Sequence, residues 1–502
     1  MKLFSSRAMN AAVVLTIGQM AGQGLSFARN MLLARYLTKA DYGLASAFAF
    51  SVALLELAGR MALGLQVVQA RDGGEPAFQR NAHAFQLGAG VLSAILLGLT
   101  SSLLARMLNV PSQAWAFGLL ALIPLGMGLE HLDVYRFQRE LKFRPGVVCE
   151  LVPQVILTLA VWPLVVWLGD FRVILWLMIG KAVLSVVMTH WLAERSYELS
   201  WDRGTADRIL SFSWPMAING ILLFASQQAD QVLVGAWFSL EQLAQYSVPV
   251  SILAVPWILF GRVVGPVLTS VLSGVQERRA EFVAKCRLSL EVSATATVLL
   301  TVPLIVSGEQ IVATLFGNKY SGVGRIMVVL VMASSFRFLR TAPTAIAMAL
   351  GDTKNLMWAN VARSLSLPLA LAAVCSGLTI VWVAGCGVVG EVVALAVSFG
   401  VMAARHDFPM RQFLKPVVFT VVCLLVSAVI FLCGASHWPL AAAAGVAGVL
   451  ALGSIGIACC LFPDLLEQLH DRWRDLLLVL RSSHRSSLSS LEASDNVPGT
   501  PP

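Results

Sequence analysis

The chain has 502 residues, 57% hydrophobic and only 13% charged, with a net charge of +8 and a mean hydropathy of +0.77. A soluble domain carries about 25% charged residues, so the composition excludes a soluble enzyme, and no exposed basic domain is left to bind nucleic acid. A hydrocarbon core about 30 Å thick needs roughly 20 helical residues per crossing, and the apolar runs have that length.

Fourteen membrane-spanning helices are predicted: 10–34, 42–66, 83–105, 114–134, 147–168, 171–193, 212–236, 246–270, 288–308, 326–349, 359–378, 380–402, 416–434 and 438–461. The second and tenth carry charges within the apolar run. Strands of a barrel would be alternating segments of about 10 residues, which these are not. Lys2 and Arg7 ahead of Ala11–Gly18 resemble a signal peptide, but no soluble mature protein follows, so this stretch reads as the first span. The fold class expected is all-α and polytopic: an N-lobe over 1–205 (spans 1–6), a C-lobe over 206–405 (spans 7–12), two further spans over 406–461, and a tail over 462–502.

Charged loops orient the spans. Alternate loops hold Arg71 and Arg80; Arg136, Arg139, Lys142 and Arg144; Arg195, Arg203 and Arg208; Arg278, Arg279, Lys285 and Arg287; Lys354; and Arg405, Arg411 and Lys415. The opposite loops are poor in Lys and Arg. Both termini are therefore expected in the cytoplasm, with the net positive charge facing anionic lipid. After Pro463, apolar residues at 465, 466, 469, 473, 476, 477 and 480 share one helical face, a pattern that lies flat in the headgroup layer. The Ser-rich remainder reads as disordered.

The eight cysteines lie in or beside spans without a CxxC spacing and read as small packing residues. The seven histidines show no metal spacing, so no metal is assigned. Gly385-Cys-Gly-Val-Val-Gly390 matches a dinucleotide fingerprint only literally. It lies inside an apolar span with no preceding strand, and close helix packing by small residues is the better reading. No phosphate-binding GxxxxGK[ST] loop occurs. No cofactor and no catalytic residue are assigned.

Two segments align without gaps at an offset of 200: Thr16–Leu37 and Met216–Trp237. Gln19, Gln23, Ser26 and Asn30 fall on one helix face, and Asn219, Leu223, Ser226 and Asp230 hold the same positions. A short polar turn and a tyrosine follow each, Tyr42-Gly43 and Tyr246-Ser247. Matching polar stripes in spans one and seven point to two related six-helix bundles, with a substrate path between the repeats. Chance similarity between apolar helices is the competing explanation.

Charges at bilayer depth are costly and mark pathways by default. Arg337 and Arg340, three residues apart on span ten with no acidic neighbour in sequence, are the strongest pair. Arg29, Lys181 and Arg262 add positive charge and Asp230 a carboxylate. A guanidinium can donate two parallel hydrogen bonds to a phosphate, so these residues suggest a basic cavity for an anionic headgroup; ion pairing between helices is the structural alternative. Arg363, Glu130 and Asp133 lie near span ends and are expected to reach the interface. Glu56, Glu150, Glu291 and Glu391 are candidates to bind a coupling ion, a proton or sodium, since poor solvation raises a carboxyl pKa.

Leu32-Leu-Ala-Arg-Tyr-Leu-Thr-Lys-Ala-Asp-Tyr-Gly-Leu44 resembles the hallmark after the first span of Wzx/PST-type polysaccharide flippases, of the multidrug/oligosaccharidyl-lipid/polysaccharide (MOP) exporter superfamily. Ala229–Gly235 through Tyr246-Ser247, Leu315-Phe-Gly-Asn-Lys-Tyr320 and Gly351-Asp-Thr-Lys354 resemble its later motifs. The resemblance covers roughly residues 5–460. It implies two six-helix lobes around a central cavity lined by helices one and seven, with Asn30 and Asp230 at matched positions. It also implies transfer of an undecaprenyl-pyrophosphate-linked oligosaccharide across the bacterial inner membrane by alternating access. The expected partners are that lipid-linked oligosaccharide, membrane lipids, and a polysaccharide polymerase with chain-length and export proteins. The pyrophosphate would sit among Arg337, Arg340 and Arg29, and the glycan against Gln19, Gln23, Asn219 and Asp230. The rivals are a lipid II flippase or multidrug antiporter of the same superfamily, and a membrane polymerase or glycosyltransferase of lipid-linked sugars.

Overall fold

The computed structural model describes the backbone of residues 6–406, 410–463 and 466–467, and the side chains among these except those of 6–13, 55–62, 226, 259, 262 and 410–412. Apart from Leu466 and Glu467, the predicted surface helix and the tail beyond it lie outside the described residues. The helices are α1 (Ser6–Tyr36), α2 (Lys39–Gln69), α3 (Pro76–Met107), α4 (Ala114–Leu119), α5 (Leu122–Leu129), α6 (Asp133–Arg139), α7 (Arg144–Leu168), α8 (Arg172–Trp191), α9 (Arg203–Trp237) and α10 (Leu240–Leu259). A π turn at Phe260–Val264 leads into α11 (Gly265–Ser273). Then come α12 (Arg279–Phe316), α13 (Gly324–Leu339), α14 (Thr341–Ala349), α15 (Thr353–Arg363), α16 (Ser366–Cys375), α17 (Ile380–His406), α18 (Met410–Leu432) and α19 (Leu440–Leu461). No strand occurs among the described residues. Each predicted span falls on one helix or one interrupted run.

Among the described residues, eleven helical stretches are long and apolar enough to cross a bilayer. The remaining predicted spans, in α1, α2 and α10, are helices of 31, 31 and 20 residues.

Two compact units are formed, one from Met1–Leu259, Ser307–Phe336 and Met357–Val397, the other from Phe260–Val306, Arg337–Leu356 and Ser398–Pro502. In the first unit, α3 turns Leu92, Ile95, Leu96, Leu99 and Leu103 outward, and α7 does the same with Ile156, Leu159, Trp162 and Val166. Lipid tails are as apolar as these side chains, so helix association here rests on close packing and hydrogen bonds. Trp167 and Trp176 flank the α7–α8 turn, and Trp191, Trp201 and Trp214 flank the α8–α9 connection, all exposed; amphipathic rings settle at headgroup level.

The hallmark sequences explain themselves as caps. The Thr38 hydroxyl accepts from the Asp41 amide at 3.1 Å, while the other Asp41 oxygen accepts from the Phe171 amide at 3.1 Å. At the start of α10, Ser239 accepts from the Gln242 amide and Gln242 accepts from the Ser239 amide, each at 3.2 Å. Both caps satisfy orphan amides at the start of a helix. Lys319 donates to the carbonyls of Arg35 and Leu37 at the end of α1, and Arg35 donates to Thr314 at 3.0 Å at the end of α12. Gly43 permits the closest approach: a Cβ there would stand 1.9 Å from the Leu240 carbonyl oxygen.

In the second unit, Ser289, Ser293, Thr297 and Thr301 form a buried stripe on α12. Ser289, Thr297 and Thr301 each donate to the carbonyl four residues back, which satisfies a hydroxyl within a helix. Asp352 caps α15, accepting from the Lys354 and Asn355 amides, from Arg405 at 3.0 Å and from His406. Burial raises the Asp352 carboxyl pKa, but these donors outweigh it and hold the group below the usual carboxylate range. Gly351 beside it takes φ +74°, a region open to glycine without strain.

Candidate functional site

The first unit encloses a cavity of about 430 Å³. From α1 come Arg29 and Asn30, and from α8 Lys181 and Ser185. Gln228 and Gln231 come from α9, and Ser247 and Ser251 from α10. Met127 of α5 and Glu130 just beyond it close one side. On α2, Ala45, Ala49 and Ala53 recur every four residues along the wall, with Tyr42 and Ser46 on the same face. Three methyl side chains leave open the volume that larger residues would fill. The lining thus combines two cations, one carboxylate, and several amides and hydroxyls, at the depth of spanning helices.

The polar walls are braced from behind. Arg29 donates to Oε1 of Gln154, at 2.5 Å, and to the Ser26 hydroxyl at 3.5 Å. Gln154, on α7, is buried, so the guanidinium is held by a group that cannot swing into water. On α9, Gln231 donates to Gln228 at 2.8 Å and accepts from Ser247 at 3.5 Å. Tyr246, fully buried, donates to the Asp230 carboxylate at 2.6 Å.

Of the residues predicted from sequence, Arg29, Asn30 and Lys181 meet at this cavity. Gln19 and Gln23 are half-buried on α1 and Asn219 is exposed on α9; none of these is among the lining residues. Asp230 is bound to Tyr246 beside the lining residue Gln231. Arg337 and Arg340 belong to the second unit, at the interruption between α13 and α14, where Arg340 is buried. The side chains of Arg262, on the π turn, and of Glu56, on α2, lie outside the described residues. Glu150 is exposed on α7, and Glu291 is buried on α12 with Arg287 at 3.9 Å.

Three expectations about span ends are corrected. Glu130 does not reach the interface but lines the cavity. Arg363 is buried and pairs with Glu391 at 2.8 Å, because α15 is interrupted there and α17 packs on the break. Gly390 makes that packing possible, since a Cβ would stand 2.7 Å from Ser366 and 2.8 Å from the Arg363 carbonyl. Asp133 is fully buried. It accepts from Arg136, from Gln79 at 3.3 Å and from the Glu194 amide at 2.8 Å. Burial pushes its pKa up, but Arg136, Glu194 and Gln79 more than offset this and bring it down to about 2. Sequence reasoning missed Gln228, Gln231, Ser185, Ser247 and Ser251. The stripe rule tracked Asp230, and the wall residue is its neighbour.

A family profile described as "Polysaccharide biosynthesis protein" matches residues 32–324, more than half of the chain. A search of curated protein sequences found no match. Among solved structures, the fold is similar to "Lipid II flippase MurJ, inward closed conformation", with TM-score 0.67 and 15% identity over 93% of this chain and 100% of that one. It is also similar to an inward-facing multidrug resistance MATE family transporter of the MOP superfamily, with TM-score 0.58 and 16% identity over 79% of this chain and 98% of that one. At these identities the likeness is one of fold. The chain is a multi-pass membrane protein with the fold shared by MurJ and MATE transporters, and it belongs to the polysaccharide biosynthesis protein family.

Proposed function

We propose that this protein is a flippase that carries an undecaprenyl-pyrophosphate-linked oligosaccharide across the bacterial inner membrane for surface polysaccharide synthesis. The observation that carries the reading is the cavity in the first unit, where Arg29 and Lys181 face Gln228, Gln231, Asn30 and hydroxyls within spanning helices. Guanidinium and ammonium groups suit a pyrophosphate, and amides and hydroxyls suit a glycan. The family match supports a role in polysaccharide synthesis, and the shared transporter fold supports translocation.

In this reading the lobes over 1–205 and 206–405 rock by alternating access, the lipid tail stays in the bilayer, and both termini are cytoplasmic. Arg337, Arg340 and Arg262 are further candidates to meet the anionic headgroup. A coupling ion at Glu56, Glu150, Glu291 or Glu391 biases the two states only through its differential affinity for them. The partners are the lipid-linked oligosaccharide, membrane lipids, and polymerase and export proteins; the protein itself performs no catalysis.

The test is Arg29→Gln with Lys181→Gln in a strain lacking the native gene. Membrane insertion is expected to be normal, surface glycan lost, and lipid-linked oligosaccharide accumulated on the cytoplasmic leaflet. Normal surface glycan would overturn the reading. Rescue of a peptidoglycan defect by the native chain would make lipid II the cargo.

A further inference from the structure

Outside the cavity, the first unit holds a buried histidine pair, with the exposed His190 beside it, that the proposed transport does not use. The His83 and His131 rings lie 4.7 Å apart, edge to face, and His190 stands 5.4 Å from His131. Tyr197 stacks on His83 at 4.5 Å. His83 and His131 are 1% and 2% exposed, so water does not solvate an added charge there.

Three of the four ring nitrogens of His83 and His131 are engaged, and Nε2 of His131 is buried without a hydrogen-bond partner. Leu132 donates its amide to Nε2 of His83 at 3.1 Å, and Asp133 donates its amide to Nδ1 of His131 at 3.1 Å. These two amides open α6. They are orphan donors with no partner inside the helix, and the neutral imidazoles cap them. Nδ1 of His83 faces the Glu198 carbonyl at 3.3 Å, which fixes the proton on that nitrogen. One turn along the same face of α3, Gln86 donates to the carbonyls of Met127 and Glu130, at 2.7 and 3.0 Å. Glu130 thus reaches the cavity from a corner whose backbone is held on one side by Gln86 and on the other by two imidazoles.

We propose that this corner is an acid-labile latch: protonation of His83 or His131 removes a cap from α6 and frees the segment that holds Glu130 in the cavity. A protonated imidazole has no acceptor nitrogen, and its charge would face the positive end of a helix. The groups around it set the balance. Asp133 and, farther out, Glu194 attract a proton, while Arg136 sits between them as their partner. His190 and Tyr197 are the neighbouring rings, and Glu198 is engaged by Arg80 at 3.1 Å. Burial moves the His131 pKa down despite Asp133, so the closed latch is the state at neutral pH. That the latch bears on transport rests on the cavity being the cargo site.

The experiment is hydrogen exchange by mass spectrometry on the full chain in lipid nanodiscs at pH 7.5 and 5.5, corrected for intrinsic exchange. Amides over 131–135 are expected to exchange at least about tenfold faster at pH 5.5, equivalent to about 1.4 kcal/mol of lost protection. His83→Gln with His131→Asn keeps a non-titrating acceptor at each cap and is expected to abolish that difference. Unchanged protection of the native chain between the two pH values overturns the proposal, whether or not the variant folds. So does a folded variant with the native acid response. No cargo is needed, so loss of the flippase reading in the Arg29/Lys181 test leaves this result separate.

Discussion

The Tyr246 phenol donates to the Asp230 carboxylate at 2.6 Å, joining α10 to α9 sixteen residues away in sequence. Both residues belong to the hallmark seen in sequence, where the tyrosine marked only the end of a turn. In the fold it satisfies a carboxylate that would otherwise lose a donor at membrane depth. Tyr246→Phe is expected to lower stability by about 1–3 kcal/mol, read as a fall in Tm of the detergent-solubilised protein. An unchanged Tm would mean that another donor replaces the phenol.

Gln154 presents Arg29 to the cavity and is not itself a lining residue. Gln154→Leu is expected to leave insertion intact and reduce transport about tenfold or more, the equivalent of one hydrogen bond to a charged group. Gln154→Glu retains an acceptor and is expected to recover much of the loss. Complementation of a deletion strain, with quantified membrane protein, separates the two.

Gly43 faces the Leu240 carbonyl with no room for a methyl group. Gly43→Ala forces α2 away from α10 and is expected to cost about 1–3 kcal/mol. Reduced yield of folded protein by size-exclusion chromatography is the readout, and native yield would contradict the close packing.

Asp133 and His131 give two separate pH windows on one corner, and both contributions are lost towards acid. Asp133 is held at about 2, below its unfolded value, so its contribution is complete at neutral pH and is lost progressively as pH falls below the usual carboxylate range and through about 2. His131 is also shifted down, but it is the neutral form that the fold favours. Its contribution is present above the ordinary imidazole value of about 6.5 and declines as pH falls below it. Thermal unfolding is expected to weaken between pH 7 and 5 in the native chain and less so in His131→Asn. Asp133→Asn is expected to be destabilised by about 1–3 kcal/mol at pH 7, because the charge-assisted bonds from Arg136 are weakened while Arg136 keeps Glu140 and Glu194.

How much was legible in sequence depends on the distance over which each cause acts. Apolar run length fixes where helices lie, because every backbone group in lipid must be bonded within its own helix. All fourteen predicted spans therefore fall on helices. Arg29, Asn30 and Lys181, singled out in sequence as polar groups at bilayer depth, do line the cavity of the first unit. Glu130, Asp133 and Arg363 were misread, since position along a helix says nothing about which neighbour will meet the side chain. Gln228 and Gln231 were passed over because they lie off the stripe through Asn219, Leu223, Ser226 and Asp230 that was matched between the two segments.

Local chemistry alone thus determined the spans, the capping residues and the inventory of intramembrane charges, since each follows from a few neighbouring residues and the properties of the bilayer. Only the tertiary structure decided that Gln154 braces Arg29, that Arg363 and Glu391 pair, that Tyr246 holds Asp230 and that two histidines cap α6. Those contacts join residues brought together by helix packing, and the packing depends on where backbones can approach, as at Gly43, Gly90 and Gly390.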